Sequence, residues 1–252
     1  MTEDGLQPTD PGSGKTRSPM LQPGYYPGFS TLDQAPFWDK ATRQLIYRRV
    51  NHVPPYRFFS QAEAELIEKV CEHVIPQFDR LPERRIPIAP FIDSRLYDGR
   101  SPGYRFENMP PDGEAHRLGL QAIDEMSFER SGQMFLRLTW HEQDVLLESI
   151  HDNQPAGAQT IWQRMPAARY WSLLVQDCCE VYYAHPWSWD EIGFGGPAYP
   201  RGYIRLEEGK PEPWEVEEHR YDWITPAAAV SDPAKEIAVH KHLPHHGQTG
   251  TH

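Results

Sequence analysis

The feature that most limits what this chain can become is the stretch 166–205, where a dense apolar pattern runs straight into a proline- and glycine-rich segment crowded with rings. Pro166 suits a first helical position, and Tyr170, Trp171, Leu174, Val175, Cys178, Val181 and Tyr182 recur on one face at a period of about 3.6. A helix of that kind is a core element that other helices must cover. Beyond it, Pro186 and the clustered Gly193, Gly195 and Gly196 predict a fixed irregular path rather than a helix or a strand. That path carries Trp187, Trp189, Phe194, Tyr199 and Tyr203, more ring surface than one short loop buries unaided. It either folds back over the chain's own helices as a lid or forms a partner surface, because rigid aromatics beside Arg201 are the residue types that dominate binding hot spots.

Other helices are legible from their starts. Ser60-Gln61-Ala62-Glu63 is a capping box, in which the Ser60 hydroxyl accepts a backbone N–H and Glu63 reaches back. Leu66, Ile67, Val70, Cys71, Val74, Ile75 and Phe78 give that helix a broad apolar face, closed by Pro76 and Pro82. Residues 86–98, with Pro87, Pro90, Phe91, Ile92 and Leu96, predict a brief helical segment. Asp112 starts another helix, with Ala115, Leu118, Gly119, Ala122, Ile123 and Met126 on one side, and Gly119 there lets a second helix approach closely. Thr139-Trp140-His141-Glu142 is a second capping box, turning Val145, Leu146, Ser149 and Ile150 inward. Residues 38–50 read as one short helix ended by Pro54-Pro55.

No strand pattern alternates with these helices and no Gly-x-Gly-x-x-Gly follows a strand, which argues against a dinucleotide domain. The fold class is therefore all-α: a compact bundle of four or five helices with long irregular N- and C-terminal arms. Residues 1–24 read as a disordered arm, 25–205 as the helical domain, and 206–252 as an extended acidic, proline-rich segment passing into a tail with His240, His242, His245, His246 and His252. With 38% hydrophobic residues and 25 prolines, the chain is lean enough that part of it should lie outside a packed core.

Charge and motif spacing remove several function classes. A net charge of -11 argues against a nucleic-acid partner, since phosphate contacts need clustered Lys and Arg. No apolar run approaches the roughly 20 residues that cross a bilayer, so direct membrane insertion is not expected. Pro11-Gly12-Ser13-Gly14-Lys15-Thr16 imitates the end of a phosphate-binding loop, but Thr9 stands where the first glycine belongs and Pro19 spoils the following helix. His141-Glu142 starts a zinc-protease pattern whose second histidine position holds Val145. Cys71, Cys178 and Cys179 sit inside helical patterns beside apolar residues and read as core thiols, and there is no Cys-x-x-Cys-His run for covalent haem. Cys178 and Cys179 could be a redox pair, but they point about 100° apart on a helix.

Three groups of residues, taken in order, carry a resemblance. Val70-Cys71-Glu72-His73-Val74-Ile75-Pro76 opens it. Glu114 to Asp124, then Phe135, Leu138 and Gln143 to Glu148, make its middle, and Ile192-Gly193-Phe194-Gly195-Gly196-Pro197 with Arg201-Gly202-Tyr203 closes it. Together they resemble the gluconate 2-dehydrogenase subunit 3 family over roughly residues 60–205. The resemblance implies a small helical, non-catalytic gamma-type subunit. It would associate with a large flavin-dependent dehydrogenase of the glucose-methanol-choline type, often beside a cytochrome c subunit, and would help that flavoprotein mature and cross the membrane. FAD then belongs to the partner, and no cofactor, metal or catalytic residue is expected in this chain. Members commonly begin with a twin-arginine export signal, whereas residues 1–20 are polar and the Arg48-Arg49 pair lacks a following apolar region. The expected compartment is accordingly cytoplasmic as written, or periplasmic if the start is misplaced or a signal-bearing partner exports it.

On this reading the contact residues are Trp187, Trp189, Phe194, Tyr199, Arg201 and Tyr203, with Tyr25, Tyr26, Phe29 and Trp38 from the N-terminal arm. A reading from a different class makes the chain a stand-alone small enzyme or metal-binding protein, using His116, His141, His185, Asp190 and Glu191 as acid, base or ligands. No spacing in the sequence forces those five together.

Overall fold

A computed structural model of the chain describes residues 30–197, apart from 102, 104 and 105. Among the described residues every regular element is helical, which makes the fold all-α. The α-helices in chain order are α1 (Lys40–Asn51), α2 (Gln61–Val74), α3 (Ile88–Tyr97), α4 (Asp112–Ser131), α5 (Trp140–His151), α6 (Gln159–Trp162), α7 (Ala167–Tyr183) and α8 (Pro186–Ile192). Short 3-10 turns lie at Thr31–Phe37, Pro82–Arg84 and Phe135–Arg137. The described chain divides into two compact units: Arg48–His185, and a second made by residues up to Tyr47 together with those from Pro186 onward. The arm 1–24 and the segment 206–252 lie outside the described residues.

The larger unit is organised around α7, which packs against α2, α3, α4 and α5. Its inner face is Ala167, Tyr170, Leu174, Asp177, Cys178 and Tyr182, a three- and four-residue spacing that keeps one side of the helix in the core. Trp171, Val175 and Val181, expected on that face, are only half-buried beside it. Pro166 caps the helix from outside, so the helical turn begins one residue later than predicted.

Both capping boxes form. The Ser60 and Thr139 hydroxyls accept the N–H of Glu63 and Glu142, and each glutamate accepts the cap residue's own N–H at 2.8 Å. Two of the otherwise unsatisfied N–H groups at each helix start are thereby satisfied. Asp93 on α3 does the same for the segment entering α2. Its Oδ1 accepts the Arg57 N–H at 2.8 Å, and its Oδ2 accepts those of Phe58 and Phe59 at 2.9 and 2.8 Å. A fully buried carboxylate is tolerable there because three backbone dipoles solvate it.

Gly119 on α4 does permit a close approach, but what occupies the space is a ring rather than a helix backbone. A Cβ added at Gly119 would lie 2.0 Å from Cζ of Tyr170, well inside contact distance. Tyr170 is fully buried, so α4 and α7 are spaced by an aromatic side chain laid across a residue without one.

The smaller unit joins the first 3-10 turn and α8. Thr31 donates its N–H to Asp190 Oδ1 at 2.7 Å and its hydroxyl to the Phe194 carbonyl at 2.9 Å. Ala35, Trp38, Ile46 and Trp189 form its buried apolar cluster, with Leu32 and Phe194 packed against it. Residues 186–192, expected to be irregular, are helical instead. Pro186 sits at the first helical position, where a missing N–H costs nothing and the fixed φ suits the turn. Gly193 ends that helix at φ 65°, and Gly196, at φ 85°, passes so close to Trp38 that an added Cβ would lie 2.8 Å from Cζ2 of the indole.

These two close approaches, at Gly119 and Gly196, give a stability prediction. Gly119→Ala must displace the buried Tyr170 ring and is expected to cost about 1–3 kcal/mol or more, the usual cost of overpacking a core. Gly196→Ala adds a positive-φ penalty to its clash with Trp38. Chemical denaturation of both variants, against Gly132→Ala, where an added Cβ meets open space and only the positive φ of 70° is strained, measures the packing part.

Candidate functional site

A buried polar arrangement inside the larger unit centres on Asp177, contributed by α7 and 4% exposed. Its Oδ2 accepts from Arg95 Nη2 of α3 at 2.5 Å and from His116 Nε2 of α4 at 2.8 Å. Because an ionised carboxylate only accepts, the His116 proton in this bond sits on Nε2. Arg95 also donates through Nη1 to Asp112 Oδ2 at 2.7 Å, at the first residue of α4, and to the Arg100 carbonyl at 2.9 Å. Burial works against the guanidinium charge, but Asp177 and Asp112 more than offset it, and the arginine's pKa is held above its ordinary value.

The surroundings are apolar and aromatic. Phe59 and Tyr170 meet the His116 ring edge-on, with ring centroids 6.3 and 5.9 Å away. Burial, followed by the nearby Cys71, Cys178 and Asp177, pushes the Tyr170 phenol above its usual range, so it stays protonated. Among the described residues, His116 Nδ1, Arg95 Nε and the Tyr170 hydroxyl find no hydrogen-bond partner. An Asp–His pair that drives nucleophilic catalysis presents its second ring nitrogen to a nucleophile. Here Nδ1 meets none. Two of the cavities among the described residues have linings that do not include Asp177, His116 or Arg95. One, about 170 Å³, is bordered by Glu68, Cys71, Gln77, Phe78 and Arg85, and the other, about 360 Å³, by Glu107, Met109, Glu114, Gln163 and Arg164. The Asp177 arrangement is suited to fastening three helices through one carboxylate.

A second polar knot ties α2 to α5. His73 places Nδ1 2.6 Å from Asp144 Oδ1 and Nε2 2.8 Å from Gln143 Oε1, and its ring stacks on Trp140 at 3.6 Å.

The other candidates for acid–base or ligand chemistry are divided between the two units. His141 is exposed at the start of α5. His185, 3% exposed, donates from Nε2 to the Arg49 carbonyl at 3.1 Å, while the Arg49 guanidinium reaches the Ala184 carbonyl at 2.7 Å. Asp190 and Glu191 belong to α8 of the smaller unit, Asp190 accepting from Thr31. Among the described residues no three His, Cys, Asp or Glu side chains are grouped so as to hold a metal ion.

Of the residues proposed for partner contact, Trp38 and Trp189 are 3% and 5% exposed, buried by their own chain in the apolar cluster of the smaller unit. Phe194 is half-buried, edge-on to Trp189 at 5.4 Å, and Trp187 is half-buried on α8. At Trp38 and Trp189 the rings build the unit's interior and offer a partner little surface. Tyr25, Tyr26, Phe29, Tyr199, Arg201 and Tyr203 lie outside the described residues.

The family model described as gluconate 2-dehydrogenase subunit 3 matches residues 61–196, more than half of the chain. The chain belongs to the gluconate 2-dehydrogenase subunit 3 family. That family is named for a subunit of a dehydrogenase complex, and the matched span begins at the first residue of α2 and ends at the glycine packed on Trp38. No curated protein and no solved structure matches the chain.

The geometry of Asp177 and His185 sets two expectations. Asp177→Asn leaves Arg95 and His116 facing a neutral amide inside the core, and is expected to lose about 3–5 kcal/mol of stability, the usual cost of breaking a buried ion pair from one side. Equilibrium unfolding in urea measures it. Separately, burial, aided by the charges of Arg80, Arg49 and Arg84 and opposed by the bond to the Arg49 carbonyl, holds the His185 pKa down to about 4. An unfolded histidine takes up its proton near 6.5. Between those values the unfolded chain binds more protons, so the neutral His185 stabilises fully above pH 6.5, and this contribution, on the order of 3 kcal/mol, is lost as pH falls to about 4. His185→Gln should flatten the wild-type decline in melting temperature across that window.

Proposed function

We propose that this chain is a non-catalytic accessory subunit that binds a large flavin-dependent dehydrogenase of the glucose-methanol-choline type and helps it to mature or stay folded. The family match over residues 61–196 carries this reading. The substrate class is sugar or sugar acid, oxidised at the partner's FAD, with a cytochrome c subunit as a possible third member of the complex. The chain works where its partner works, in the cytoplasm or, if carried out with a signal-bearing partner, in the periplasm.

The internal chemistry is consistent with a role in contact. Asp177, His116, Arg95 and Asp93 spend their hydrogen bonds on helices and backbone of the same chain. By binding the native flavoprotein in preference to its unfolded chain, an accessory subunit raises the partner's stability in proportion to its own concentration and affinity. In this role the chain supplies shape and contact area, and the partner's flavin supplies the reaction.

The test is co-expression of an affinity-tagged chain with such a dehydrogenase. Recovery of the flavoprotein on the tag, with soluble yield and FAD occupancy at least several-fold above those obtained without this chain, is the expected result. Equal yield and equal FAD loading in its absence would overturn the proposal. Trp187→Ala, a half-buried ring on α8, is expected to weaken capture while the variant's own melting curve reports on its fold.

A further inference from the structure

Cys71 on α2 and Cys178 on α7 stand 3.7 Å apart, sulfur to sulfur, both buried and both free thiols. That is van der Waals contact between two thiols separated by 107 residues of sequence. Cys179 is half-buried and turned about 100° around α7 from its neighbour, so the same helix presents one thiol to Cys71 and directs the other elsewhere. The two sulfurs of the pair are not equivalent. Cys178 is fully enclosed, whereas Cys71 is among the residues lining the cavity of about 170 Å³.

We propose that Cys71 and Cys178 are a disulfide-forming modification site, oxidised by exchange with a low-molecular-weight disulfide of the glutathione class, and that the fold selects this pairing over either pairing open to Cys179. Cys71, as its thiolate, attacks one reagent sulfur, giving a mixed disulfide and releasing one reagent thiol. Cys178, already in contact with the Cys71 sulfur, then attacks it and expels the second reagent thiol. Two electrons and two protons pass from the protein thiols to the reagent, one S–S bond breaks, and one forms.

The product ties α2 to the central helix across 107 residues of chain, which restricts the unfolded ensemble far more than a local link does. The hydrogen bond shared with Cys178, together with burial, raises the Cys71 thiol well above its ordinary value of 9.0. Exchange in the folded chain is therefore slow at neutral pH and still accelerating where an exposed thiol has levelled off.

Full-length chain is incubated with oxidised glutathione at mildly alkaline pH, alkylated, and mapped by mass spectrometry without reduction. The expected product is a linked pair of peptides containing Cys71 and Cys178, with Cys179 alkylated and a melting temperature several degrees above that of the reduced chain, reversed by dithiothreitol. Cys179→Ala retains the link and the shift, and Cys71→Ala loses both. Equal alkylation of all three cysteines, glutathione retained on Cys179 as the sole product, or a link joining Cys178 to Cys179 would overturn the proposal. The wild-type map alone decides the pairing even if Cys71→Ala folds poorly, and it involves no partner protein, so its failure is separate from any failure of the subunit reading.

Discussion

One carboxylate holds three helices of the larger unit in register. Asp177 sits on the inner face of α7, takes a guanidinium from α3 and an imidazole from α4, and shares that guanidinium with Asp112 at the first turn of α4. An ion this deep is costly unless its lone pairs are occupied, and occupying them requires both neighbouring helices to be in place. Hydrophobic packing around Leu174, Ile123 and Ile92 supplies most of the driving force, but apolar faces slide over one another with little penalty. The ionic tie discriminates among such arrangements, since displacing α3 or α4 strands a charge.

Ring placement in the smaller unit obeys a related rule, with absence of a side chain in place of charge. Gly196 lies against the Trp38 indole, and Trp189 and Phe194 complete the packing edge-on. The glycine-rich run after α8 is thus a consequence of bringing backbone onto a flat ring, and its positive φ allows the turn that does so. Gly119 repeats the device beneath Tyr170 in the larger unit. In both places a large aromatic is buried because the chain opposite has given up its Cβ.

Much of the helical architecture is legible in the sequence because its signals are local. Ser60 with Glu63 and Thr139 with Glu142 mark helix starts within four residues, and apolar recurrence then gives the buried face. Long-range and ambiguous features are the ones that escape. Arg95 and Asp177 are 82 residues apart, His116 and Asp177 are 61, and no pattern in either neighbourhood announces the pairing. Asp93 resembles any surface acid in sequence, yet it gathers three backbone N–H groups from Arg57, Phe58 and Phe59. Pro186 is ambiguous because proline both ends helices and begins them, and the helical turn through Trp187 to Ile192 is what makes it a beginning. The burial of Trp38 and Trp189 cannot be told in sequence from partner-facing rings, because an aromatic has the same composition whether its cover comes from its own chain or from another.

The long-range polar ties that escape sequence reasoning bear on how such a body can associate. A segment that folds only on binding spends part of its contact energy on ordering itself, whereas a preorganised surface does not. With both capping boxes closed, Asp93 accepting three backbone N–H groups, Asp177 bound to Arg95 and His116, and His185 held neutral against the Arg49 carbonyl, the Arg48–His185 unit has its helices fixed by polar contacts of its own. Its exposed rings and aliphatics, Phe128, Tyr97, Tyr183 and Leu81 among them, stand on helices and turns already fixed by those interactions. Contact made through them would therefore add to helices already held in place, at little conformational cost to the unit.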